Sequence, residues 1–191
     1  QARYPLLAAN LIDDATGKLL QLRFVDCESF QTYAQAAEGY FRQYGKPVAF
    51  YSDKASVSRS NHTEPQGGDG VTQFGRALDD LNIDIICANS APAKGRVERA
   101  NSTLQDRLVK ELRLRGISSV DAANAFALEF VADYNTRFAK APKNPFNAHR
   151  AVLPSEVLDE IFTWQETRKL SQSLSFNYQR QLFLVQDTEE T

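Results

Sequence analysis

Apolar residues recur at Val97, Ala100, Leu104, Leu108 and Leu112. This period near 3.6 predicts the longest helix of the chain, with one buried stripe. At ~100° per residue, Glu98 falls on the border of that stripe, while Arg96, Arg99, Arg107 and Lys110 fall on the other side. A carboxylate on the seam between core and solvent, flanked by arginines, suits metal-assisted chemistry on phosphates. It equally suits an early acid that favours the helix dipole.

The chain before this helix has an α/β rhythm. Residues 5–12 read as a buried strand, Asp13-Asp14-Ala15-Thr16-Gly17-Lys18 as a turn, and Leu19–Val25 as a second strand with Leu20, Leu22 and Phe24 on one face. The two strands form an antiparallel hairpin. Glu28 or Ser29 opens a helix with Phe30, Tyr33, Ala34, Ala37, Tyr40 and Phe41 on its apolar side. It stops at Gly45, with Pro47 beyond. Val48-Ala49-Phe50-Tyr51 is wholly apolar, the mark of a strand covered on both faces. It ends at Ser52-Asp53-Lys54, and the carboxyl ends of strands are where α/β sheets carry their chemistry. Residues 55–70 read as a loop, and its lone His62 as a solvated side chain.

Thr72 caps a helix through Phe74, Ala77, Leu78 and Leu81. Residues 83–88 form the next strand, 89–92 a loop, and the Glu98 helix follows to Gly116. Ser119 caps another helix, with Ala122, Ala125, Phe126, Phe130, Val131 and Tyr134 at helical spacing. Residues 139–154 hold three prolines and read as an extended connection, and Pro154–Trp164 as a short helix. From Leu170 the pattern alternates, as for a β-hairpin that opens a second, all-β module. The predicted division is a core over 1–140, a linker over 141–169 whose Trp164 packs on the core or meets another subunit, and the hairpin over 170–191.

Composition narrows the function classes. With 42% hydrophobic and 24% charged residues in 191, the chain has material for a real core. No apolar run approaches a membrane span, and no secretory signal is present. Cys27 and Cys87 lack CxxC spacing and fit a reducing compartment. The absence of Met and the start at Gln1 give the expectation of an internal fragment. The formal net charge of −2 counts against coating nucleic acid through bulk charge. A local basic patch remains possible: from Lys94 to Arg115 seven Lys and Arg stand against three acids.

Asp53 ends one strand, and Glu98 lies in the helix after the next. In an α/β sheet neighbouring strand ends can bring two such groups together. Paired carboxylates repel, and stay ionised when they share divalent cations. Two Mg²⁺ ions so held can activate an attacking oxygen and stabilise a leaving one, the need of phosphoryl transfer on DNA or RNA.

The order and the local words are more specific. Phe50-Tyr51-Ser52-Asp53-Lys54, Thr72-Gln73-Phe74-Gly75-Arg76-Ala77-Leu78, Ile85-Ile86-Cys87-Ala88-Asn89 and Ala93-Lys94-Gly95-Arg96-Val97-Glu98-Arg99-Ala100-Asn101 follow one another. With Ile12-Asp13-Asp14-Ala15-Thr16-Gly17 and Asp133-Tyr134-Asn135, they resemble the core of DDE transposases and retroviral integrases, nearest to bacterial insertion-sequence transposases of the ISNCY type. The resemblance implies an RNase H-like mixed sheet flanked by helices, followed by the start of a small β-barrel. It implies Asp53 as the second catalytic acid and Glu98 as the third, both holding Mg²⁺ or Mn²⁺, two ions when the site is complete. It further implies cleavage at transposon ends and strand transfer to target DNA, a dimer or higher oligomer, and a cytoplasmic, nucleoid-associated protein. Lys94, Arg96 and Arg99 are the expected contacts to duplex phosphates, which position DNA without reading its sequence.

The family's first catalytic Asp lies on a central strand before the hairpin, and no residue here matches it. Asp13 and Asp14 match an acidic turn instead. The expectation is that this Asp lies upstream or is missing, and that the fragment is catalytically incomplete. Two other readings share the same sheet: an RNase H-like nuclease that hydrolyses without joining, and a non-catalytic DNA-binding remnant. A signalling receiver domain is disfavoured, because its acidic pair would lead into a helix and not a tight turn.

Overall fold

A computed structural model describes residues 6–27, 29–52, 72–87 and 91–186, and for 6–9, 52, 87 and 91–100 only the backbone. The hairpin forms as expected. Strand β1 (Leu6–Ile12) pairs antiparallel with β2 (Leu19–Val25). The turn closes through Asp13: its N–H donates to Lys18 O at 2.9 Å, its carboxylate accepts from the Thr16 N–H at 3.0 Å and from the Thr16 hydroxyl, and Gly17 supplies a φ of 69°. Asp13 is therefore a turn residue, as an Asx side chain at that position favours.

One expectation about β2 is corrected. Ile12 pairs with Leu19 and Leu11 with Gln21, so Leu20 is an inserted bulge residue. The bulge shifts the side-chain phase. Leu19, Leu22 and Phe24 then share one buried face, and Leu20 joins Leu11 on the other.

Helix α1 (Phe30–Tyr44) begins with a capping box. Ser29 Oγ accepts from the Thr32 N–H at 3.2 Å, and Thr32 Oγ1 accepts from the Ser29 N–H at 2.9 Å. It ends at Gly45, whose N–H reaches Phe41 O at 2.9 Å. Strand β3 (Ala49–Ser52), helix α2 (Gln73–Asp80, capped by Thr72) and strand β4 (Asp84–Cys87) form a βαβ unit, in which β3 and β4 pair in parallel with Ser52 opposite Cys87. The predicted two-sided burial of β3 is not what the described residues show. Phe50 and Ile85 pack toward α1, whereas Tyr51 and its partner Ile86, on the opposite face, are 48% and 40% exposed.

Helix α3 (Ala91–Leu114) starts earlier than its sequence suggested, with Pro92 in the first turn, where no N–H is required. Leu104, Leu108 and Leu112 are buried, as the stripe predicts. Helix α4 (Val120–Phe138), capped by Ser119, buries Ala123, Phe126, Ala127, Phe130 and Tyr134. Ala122 and Ala125 are exposed, a correction to the predicted face. The helix is rolled so that Asn124 and Asn135 reach β2. The Asn124 amide accepts from Phe24 N–H and donates to Phe24 O, both at 3.0 Å, and Asn135 treats Leu19 alike at 2.7 and 2.9 Å.

The hairpin thus lies between two helical layers, each with its own core. Leu19, Leu22 and Phe24 meet α3 and α4, while Leu11 and Leu20 meet α1, with Phe50, Ile83, Ile85 and α2 in the same cluster. The antiparallel and parallel pairs are separate two-stranded sheets among the described residues, and both rest on α1.

The connection after α4 is extended and strapped to α1. Lys46 and Arg150 exchange backbone hydrogen bonds at 2.7 and 2.8 Å, and the buried Lys46 ammonium pairs with Glu156. Of the predicted helix over 154–164 only α5 (Leu158–Ile161) forms. Trp164 meets the Phe30 ring edge-on at 6.1 Å but remains 55% exposed, so it touches the core margin and is not part of the core. Strands β5 (Ser175–Tyr178) and β6 (Gln181–Leu184) make the C-terminal hairpin, around a two-residue turn with φ of 48° at Gln179 and 64° at Arg180.

Candidate active site

The parallel register of β3 and β4 defines the site. Because Ser52 is paired with Cys87, both strands leave the sheet at the same end, about 4.8 Å apart. The chain leaves β3 directly into Asp53, which lies outside the described residues, as does His62. It leaves β4 into residues 88–90 and then α3. Glu98 is seven residues into α3, about 10 Å along its axis. In the sequence Asp53 directly follows the last residue of β3, and Glu98 lies on the helix that follows β4; the carboxyl ends of strands are where open α/β sheets hold their ligands.

Lys94, Arg96, Glu98 and Arg99 all lie on α3, and their side chains are outside the described set. Helical spacing alone puts Lys94 one turn before Glu98 on the same face. Further along, the basic residues have local partners. Lys110 pairs with Asp106 at 2.7 Å, Arg115 pairs with Glu129 at 2.7 Å, and the Arg107 guanidinium stands 5.3 Å over the Phe138 ring. These exposed pairs contribute little stability. Asp14 lies in the hairpin turn with Asp13, at the opposite end of β1 from the β1 start.

One contact near the site was not anticipated. Asn10 of β1 donates from Nδ2 to Asn101 Oδ1 of α3 at 2.7 Å, both side chains being half-buried. The available signal was an amide inside an otherwise apolar strand, Leu-Leu-Ala-Ala-Asn-Leu-Ile. The inward Asn124 and Asn135 were missed for a similar reason, although Asn135 sits within one of the quoted words.

Comparison with known proteins decides the kinship. Over 181 residues, 94% of the chain, it is 51% identical to a Sinorhizobium fredii protein described as "Putative transposase y4bF". The chain is related to bacterial insertion-sequence transposases. Over 134 residues it is 34% identical to the transposase for insertion sequence IS1202 of Streptococcus pneumoniae. These matches span 40% and 29% of the relatives' own lengths. No family model matches the chain, and no solved structure matches it. Among the described residues no helix is long and apolar enough to cross a membrane.

Proposed function

We propose that the chain is the catalytic core of a DDE-type transposase with an RNase H-like fold, acting on duplex DNA. The observation that supports this reading is the parallel Ser52–Cys87 register, since Asp53 is the next residue after Ser52 and the Glu98 helix follows Cys87 in the sequence. Two carboxylates offer hard oxygen donors, which fit Mg²⁺ or Mn²⁺ better than soft metals. When bound, such ions supply charge stabilisation for an attacking and a leaving oxygen. Asp53 and Glu98 would hold the ions, and Lys94, Arg96 and Arg99 would bind duplex phosphates. A third carboxylate comes from a further strand.

The two separate sheets support that architecture. Among the described residues β1–β2 and β3–β4 rest on the same helix as separate two-stranded sheets, and α4 occupies the outer edge of β2 through its asparagines. A strand inserted between the two pairs would join them into one mixed sheet, with its end at the same edge as Ser52. The protein acts as a dimer or higher oligomer, since two transposon ends must be handled together.

The test is a cleavage and joining assay on labelled DNA carrying the element's ends, using the full-length protein with Mg²⁺. Asp53→Asn and Glu98→Gln are each expected to reduce both products by more than the ~10–100-fold that losing an outer-shell partner of a metal ligand costs. Cleavage without joined product would instead establish the nuclease reading. DNA binding with no metal-dependent product would establish the non-catalytic one.

A further inference from the structure

We infer that Asn10 and Asn101 are positioning residues for Glu98, a claim that rests on the proposed role of that carboxylate. Asn10 stands two residues before Ile12 on regular strand, hence on the face of β1 that meets the α3–α4 core. That face is otherwise apolar. On the helix, Asn101 continues the buried line of Leu104, Leu108 and Leu112 at spacings of three, four and four. The amide pair therefore occupies a slot that packing would give to two aliphatic side chains.

Leucine contacts tolerate a small roll or slide of a helix, whereas a hydrogen bond at 2.7 Å has one distance and a narrow range of angles. The pair pins α3 to β1 one turn beyond Glu98. A roll of about 20° on a helix of ~5–6 Å outer radius moves a side-chain tip by about 2 Å. Metal coordination tolerates deviations near ±0.2 Å. The Asn10–Asn101 bond thus sets the azimuth of the helix for the carboxylate, while the leucines below supply its stability.

The experiment compares Asn10→Leu, Asn101→Leu and the double variant in the full-length protein. Thermal midpoint and the Mg²⁺ concentration for half-maximal DNA cleavage are both measured. The double variant replaces a satisfied polar pair by an apolar contact, which costs little stability. It is expected to keep its thermal midpoint within a few degrees while requiring ~10-fold more Mg²⁺, the scale of losing an outer-shell partner. A double variant with the parent's Mg²⁺ requirement, alongside an inactive Glu98→Gln, overturns the inference and leaves the function standing. An active Glu98→Gln, or a parent without metal-dependent cleavage, removes the function and this inference with it.

Discussion

Asn135 holds Leu19 by both ends of its carboxamide, accepting from its N–H at 2.7 Å and donating to its carbonyl at 2.9 Å. It does for the strand what a neighbouring peptide would do. Asn124 repeats the arrangement at Phe24. Eleven helical residues span about 16 Å, and five strand residues nearly the same, so one helix face serves both points. The edge of β2 is thereby closed against pairing with another strand.

Replacing either asparagine leaves a strand N–H and C=O without partners in a half-buried site. Asn135→Leu and Asn124→Leu are each expected to destabilise the fold by ~2 kcal/mol. Urea unfolding of each variant measures this as a lower midpoint at unchanged slope.

Gly45 is constrained twice. Its φ is 88°, and a Cβ there would stand 2.6 Å from Arg150 O, in the strand-like bridge that straps the connection to α1. Gly45→Ala is expected to cost ~1–3 kcal/mol. A smaller Gly45→Ala penalty in a background whose strap is cleaved between α4 and α5, seen by calorimetry, would separate the steric part from the conformational one.

The Lys46–Glu156 pair makes stability pH-dependent. Burial pushes the Glu156 carboxyl up, but hydrogen bonds from Lys46 and the Leu153 N–H, with the charges of Lys46 and Arg150, outweigh it and hold it below its ordinary value. A depressed carboxyl contributes stability above its unfolded pKa, ~4.3, and loses it as the pH falls through the lower folded value. Thermal midpoints of parent and Glu156→Gln are expected to differ at pH 7 and to converge as the pH falls through the lowered folded value.

Reversing Lys94, Arg96 or Arg99 to Glu follows from the proposed DNA contacts. Each change is expected to weaken duplex binding alike for different sequences, and to lower the slope of log K against log salt by ~1. Titrations at several salt concentrations read both quantities.

Local signals explain what was legible. The caps at Ser29, Thr72 and Ser119 bond within three residues, and each starts its helix where the sequence places it. The stripe of Leu104, Leu108 and Leu112 is buried as its period requires. The kinship with transposases, read from words around Asp53 and Glu98, stands on the relatives as well.

By itself the sequence determined the order of strands and helices, their caps, the hairpin turn at Asp13 and the kinship with transposases. Only the tertiary structure decided the bulge at Leu20, the inward roll of α4, the strap at Lys46 and the Asn10–Asn101 bond. The physical reason is range. Caps and periodic stripes depend on neighbours within a turn, whereas Asn10 meets a partner 91 residues away and Leu19 one 116 residues away. A buried amide is favourable only when such a partner is present, and which partner that is depends on how the layers come together.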